Sequence, residues 1–348
     1  MTIPFSILDV AHVVEGGSPA QSFAAALALA QTAEHCGYNR VWYAEHHNIS
    51  SVASSAPAVL VSHIAAHTKT IRLGAGGVML PNHSPLTIAE QFGTLEALYP
   101  GRIDLGLGRA PGGDMGVIRA LRKDYNAAAN AFPSDVQELI HYLSKPEDSA
   151  PTDVRAIPGE GAEVPIWILG SSLFGAQLAA RLGLPFAFAS HFAPGHLFQA
   201  AEIYRRDFVP SRHLKEPYFM MACNVFTADT YEDANYHFST LLQAFAGIIT
   251  NQRGPTPRPV ENYKVPQQIA SQLESMLYVS AVGTVNMVAD RLALFCEQIK
   301  PDEIIISKAF HDQTARRRSV ELTMEARGLL TERLESPNSP SELQGTAS

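Results

Sequence analysis

The chain has 348 residues, 46% hydrophobic and 17% charged, with a formal net charge of −8 at neutral pH. That composition supports a large buried core and excludes a mainly disordered chain, while its acidic balance and scattered Lys and Arg offer no basic face to a phosphate backbone, so no nucleic-acid partner is expected. Cys36, Cys223 and Cys296 are odd in number and form no CxxC pair, which excludes a disulfide framework or zinc site and fits a reducing, cytoplasmic setting.

No stretch approaches 18 uninterrupted apolar residues, and the N-terminus has no basic flank leading into an apolar run, so neither membrane insertion nor secretion is expected. From residue 3 onward, short apolar runs alternate with amphipathic segments, the pattern of a parallel sheet with helices outside it. Strands are predicted over 3–10, 40–44, 71–80, 103–107, 165–169, 186–190, 218–227 and 303–307. Helices are predicted over 19–36, 54–67, 84–98, 173–182, 195–208, 231–249, 284–299 and 313–332, with Gly37 and Gly183 as stops after two of them. Eight such units predict an α/β fold, a closed (β/α)8 TIM barrel forming one domain over residues 1–334. Two segments interrupt the cadence. Residues 110–164 read as an insertion after the fourth strand, with helical pieces at 116–130 and 134–143. Residues 247–282 precede the eighth strand and contain Asn251-Gln-Arg-Gly-Pro-Thr-Pro-Arg-Pro259, either a lid or a surface loop. The Pro/Ser-rich residues 335–348 read as a disordered tail.

Three strand ends carry polar loads, and parallel barrels assemble active sites at such carboxyl ends. In Arg40-Val-Trp-Tyr-Ala-Glu-His-His-Asn48 an apolar strand breaks off into a carboxylate and two imidazoles, which either exchange protons or cap the loop. A metal would need further ligands, and none is expected; His63 and His67, four apart, read as a helix face. Leu73-Gly-Ala-Gly-Gly-Val-Met-Leu-Pro81 has too many glycines for an ordinary strand, so either a flat ring lies against Gly76 and Gly77 or the strand bulges. Leu105-Gly-Leu-Gly-Arg-Ala-Pro-Gly-Gly-Asp114 is not a dinucleotide loop, because it is mid-chain and Pro111 interrupts it. Its Arg109 suits bidentate capture of phosphate, or a surface salt bridge. Gly170-Ser-Ser-Leu-Phe-Gly175 places hydroxyls and free N–H groups at a helix start, an anion site in which Ser172 also serves as N-cap.

These residues resemble the bacterial luciferase-like, flavin-dependent monooxygenases, and in particular their single-chain, low-specificity members, over about residues 3–330. The likeness rests on Ala-Glu-His-His-Asn48, Gly76-Gly-Val-Met-Leu-Pro81, Glu90-Gln91, the run Tyr99-Pro-Gly-Arg-Ile-Asp-Leu-Gly-Leu-Gly-Arg109 and Leu169-Gly-Ser-Ser172. It implies a (β/α)8 barrel in which His46 is the catalytic imidazole and Gly76-Gly77 forms a non-prolyl cis peptide beneath the flavin ring. The implied cofactor-binding set is Glu45, Gly76, Gly77, Gly108, Arg109, Ser171, Ser172 and Gly175, with Arg109, Ser171 and Ser172 on the phosphate, Asp114 close by and residues 247–282 as the lid. The resemblance further implies reduced FMN supplied by a separate flavin reductase, and O2 carried through a C4a-hydroperoxide to a small organic substrate. A homodimer through the second and third helices is implied too, with Ala53, Ser54, Ala58, Ser62, Ala65 and Ala66 allowing close packing. Where the light-emitting relatives have a reactive cysteine this chain has Gly108, which argues against bioluminescence. Two other activities fit the same barrel: hydride transfer with F420 or NAD(P)H, and flavin binding without catalysis.

Overall fold

The computed structural model describes residues 2–110, 112–121, 124–145 and 154–335. Its strands, all parallel, run β1 (Phe5–Asp9), β2 (Arg40–Tyr43), β3 (Arg72–Met79), β4 (Ile103–Gly108), β5 (Ile166–Gly170), β6 (Phe186–Phe188), β7 (Phe219–Thr227), β8 (Ser280–Gly283) and β9 (Glu303–Ser307). β1 to β7 pair in chain order, β7 pairs with β9 and β9 returns to β1, so eight strands close a TIM barrel. β8 stands outside that ring. The nine residues of β7 explain how: Met220–Asn224 pair with β9 and Asn224–Thr227 with β8.

Helices α1 (Pro19–Cys36), α2 (Pro57–Ala66), α3 (Pro85–Leu98), α4 (Met115–Ala120), α5 (Tyr125–Leu143), α6 (Leu173–Leu182), α7 (Leu197–Arg206), α8 (Tyr231–Ile249), α9 (Ala270–Met276), α10 (Val285–Ile299) and α11 (Gln313–Glu335) follow the strands. The end of α1 at each terminus is set by local chemistry. Ser18 and Gln21 form a reciprocal capping box with Pro19 next in line, and Gly37 stops the helix at φ +80°. Gly183 ends α6 in the same left-handed way, at φ +60°.

The inner face of the barrel is packed with Trp42, Trp167, Ala187, Met220, Ala222 and Ile305. Its lower end is shut by charge. Arg40, at the start of β2, reaches Asp104 at 2.7 Å and Glu303 at 2.9 Å, with its guanidinium 4.9 Å from the Trp167 ring centroid. Trp42 Nε1 donates to Asp104, and the Tyr218 hydroxyl to Glu303. Such a set satisfies its own buried groups and leaves only the carboxyl end of the barrel open.

The structure departs from the expected elements in three places. In the 110–164 insertion, α5 runs unbroken through Pro133, where the sequence reading places a break, and the break falls before Asp124, whose carboxylate caps Ala127 N–H. Residues 247–282 are not a bare loop: they contain α9 and most of β8, and Thr256 pairs with Val14 beyond β1. α11 continues to Glu335, and the tail expected from about that residue falls at positions 336–348, outside the described residues. Arg316, in the run Arg316-Arg317-Arg318, is buried and paired with Asp9 at 2.8 Å, so it contributes to no surface patch. Among the described residues no helix is long and apolar enough to cross a membrane.

Candidate active site

A cavity of about 1240 Å³ opens at the carboxyl ends of the strands, and both His46 and Arg109 face it. Gly76, Gly77 and Gly108 contribute to its wall from β3 and β4, and Ser171, Ser172 and Gly175 from the β5–α6 turn. Seven of the eight expected cofactor contacts therefore share one space with His46. Glu45 does not. Its fully buried carboxylate lies beneath the wall, accepting the Met79 N–H at 3.0 Å and meeting His47 Nε2 at 2.8 Å and His83 Nε2 at 2.9 Å. Its own N–H donates to the Gly77 carbonyl at 3.1 Å, so Glu45 staples the tip of β2 to that of β3. Burial pushes its pKa up, but the bonds from His83, His47 and Met79 outweigh that and hold it below the usual carboxylate value.

The floor of the cavity is set by close approach of β3 to its neighbours. The Gly76–Gly77 peptide is cis, and the β3–β4 register shifts between Gly76 and Val78. The bulge and the cavity-lining glycine pair, alternatives in the sequence, are thus one feature. A Cβ on Gly77 would stand 2.7 Å from the Gly106 carbonyl oxygen, and one on Gly108 would stand 2.9 Å from Met79 Sδ. Backbone packing leaves no room for a side chain at Gly77, and the backbone of Gly76, Gly77 and Gly108 lines the space.

At the β4–β5 side, the Arg109 guanidinium lies 4.2 Å from the Phe174 ring centroid and forms no ion pair with any described residue. The salt-bridge alternative is therefore not what the structure presents. Ser172 occupies the N-cap position of α6 in extended conformation, yet its side chain makes no capping bond. A free guanidinium, two serines and uncapped helix-start amides make up this corner, and Glu15 is the sole acidic residue on the described cavity wall. That donor set fits a phosphate. Asp114 instead caps α4 through Val117 N–H at 3.0 Å and takes a bond from Asn48, outside the wall.

Two further imidazoles join His46. His12 and His191 line the same cavity. Burial drives each down to about 4, so both are neutral at neutral pH. His46 is lowered too, by burial first and then by His47 and Arg253, against the opposing Gly112 backbone and Glu45. The sequence reading missed His12 and His191 because neither sits in a motif. A shared offset carries the signal: each of the three histidines stands three residues past its strand, β1, β2 or β6. His63 and His67 remain a helix-surface pair, rings 4.8 Å apart, and no metal-holding cluster exists among the described residues.

The sequence model of the family described as luciferase-like monooxygenase matches residues 3–299. A relative named luciferase-like monooxygenase from Escherichia coli (strain K12) is 47% identical over 94% of this chain and 97% of its own length. N-acetyl-S-alkylcysteine monooxygenase of Bacillus subtilis (strain 168) is 34% identical over 93% of this chain and 98% of its own. The crystal structure of apo-MsnO8 superposes with a TM-score of 0.86 at 34% identity, covering 94% of this chain and 99% of that one. Matched by that family model over most of its length and by these relatives along nearly the whole chain, this chain belongs to the luciferase-like monooxygenase family.

Proposed function

We propose that the cavity binds reduced FMN and that the protein uses it with O2 to oxygenate a small organic substrate. The observation that carries this reading is the convergence of His46, the Gly76–Gly77 backbone and the unpaired Arg109 on one cavity. Arg109, Ser171, Ser172 and the first amides of α6 would hold the phosphate, and the side-chain-free floor at Gly76, Gly77 and Gly108 would admit the ring. Reduced FMN supplies the two electrons that activate O2. Leu8, Leu169, Phe188 and Ala222 on the wall exclude water from the reacting atoms. His46, held neutral by burial, accepts and returns a proton at its ring nitrogen.

Electrons would arrive as reduced FMN from a separate reductase. A homodimer would form through the outer faces of α2 and α3, where Val59 is 72% and Leu98 59% exposed. Of the small residues expected there, Ser54 and Ala65 are buried within the chain at 1% and 2% exposure and can offer nothing to a partner.

The test is an assay under ¹⁸O2 with FMN, NADH and a flavin reductase, offering a panel of thioethers, ketones and aldehydes. One labelled oxygen atom per product is expected. Product that forms equally well without O2, or that carries no label, overturns the proposal and points to hydride transfer. Tight flavin binding with no product points to a non-catalytic role.

A further inference from the structure

The cavity holds more cation and more imidazole than a phosphate corner requires. Arg253 lines it from the segment between α8 and α9, which is tied by Thr256 to Val13 and Glu15 beyond β1. In the ring of eight strands β1 lies opposite β5, so this anchor stands across the mouth from Ser171 and Ser172. No described carboxylate pairs with Arg253; Glu15 is exposed and bonded through its backbone only to the Thr256 and His311 neighbourhood. Arg253, His46, His12 and His191 all line this one cavity. His191 Nδ1 is buried with no hydrogen-bond partner. Around this group the wall is apolar, formed by Leu241, Phe245, Ile269 and Met276 of α8, α9 and the strap between them.

We propose that this half of the cavity is the substrate subsite and that it takes an organic carboxylate with an apolar body. The carboxylate pairs with Arg253, the body packs on Leu241, Phe245, Ile269 and Met276, and His191 Nδ1 supplies the next polar contact. The inference rests on the flavin reading only in assigning the other half of the cavity to the cofactor. Its physical basis is that a guanidinium with no carboxylate paired to it, on a cavity wall whose one described acidic residue is Glu15, attracts an anion. The neutral state of His12 and His191 lets three rings share the space without mutual repulsion.

The probe is N-acetyl-S-benzylcysteine compared with its carboxamide, titrated calorimetrically into the full chain at low salt, with FMN titrated in parallel. The carboxylate is expected to bind at least about tenfold tighter than the amide, the loss associated with one charge-assisted pair. Arg253→Met should erase that difference while leaving the amide's affinity unchanged, and Arg253→Lys should restore part of it. Equal affinity of the two probes, a carboxylate indifferent to Arg253→Met, or no saturable binding of the carboxylate overturns the subsite. Discrimination that persists in a protein unable to bind FMN upholds the subsite and counts against the flavin reading alone. FMN binding without discrimination does the reverse.

Discussion

Replacing Glu45 by Gln tests the staple that joins the β2 and β3 tips. The substitution preserves shape but removes the charge that meets His47 at 2.8 Å and His83 at 2.9 Å. Hydrogen bonds to a charged group contribute about 1.5–3 kcal/mol and neutral ones about 0.5–1.5, so two conversions cost roughly 2 kcal/mol. The new amide also turns one acceptor into a donor where Met79 N–H, Asn82 Nδ2 and two imidazoles wait, which adds about 1 kcal/mol. Equilibrium urea unfolding at pH 7 should therefore show Glu45→Gln destabilised by about 2–4 kcal/mol, with FMN affinity falling alongside because the same carboxylate fixes Met79 beside Gly108. The folded pKa of Glu45 is held down, so its contribution is present above the ordinary carboxylate value and is lost as pH falls through the folded one. A variant within about 0.5 kcal/mol of the parent at pH 7, the scatter of ordinary surface substitutions, refutes the staple.

Other substitutions probe the remaining parts. His46→Gln should lower turnover by about 10²–10⁴ with FMN affinity retained, and in the parent the acid limb of the pH–rate profile should fall below the ordinary histidine value of 6.5, since burial favours the neutral ring. Ser172→Ala should weaken FMN binding without lowering thermal stability, because its hydroxyl caps nothing in the helix; a drop in melting temperature with unchanged binding contradicts that. Gly77→Ala places a Cβ 2.7 Å from a backbone oxygen and should cost about 1–3 kcal/mol in urea unfolding. Arg40→Met removes the cation between Asp104 and Glu303 and should cost about 3–5 kcal/mol, read in the same way.

Most of the barrel is legible in the sequence because its signals are local. The apolar runs at Arg40–Tyr43 and Glu303–Ser307 are strands by composition, and Ser18, Gly37 and Gly183 mark helix ends by their own backbone chemistry. What escaped is tertiary. Ser280–Gly283 is a strand because the far end of β7 is left unpaired by β9, a condition no window of sequence expresses. Pro133 sits inside α5 despite its usual role as a breaker. Within the site, Arg109 and Ser172 announced themselves by residue type at a strand tip. Glu45 is placed on the wall by the family resemblance, yet its pair of imidazole partners draws it beneath. His12 and His191 needed the strand ends to be known before their common offset could be seen.

The central claim is that one end of the cavity is built for a phosphate and the floor for the ring attached to it. Equilibrium binding of reduced FMN against reduced riboflavin, in the parent and in Arg109→Ala, tests it most directly. The account predicts that FMN binds at least about 100-fold tighter than riboflavin, from one guanidinium pair plus helix-start donors, and that Arg109→Ala removes most of that margin while leaving riboflavin unaffected. Equal affinity of the two flavins for the parent protein, or a margin untouched by Arg109→Ala, contradicts it.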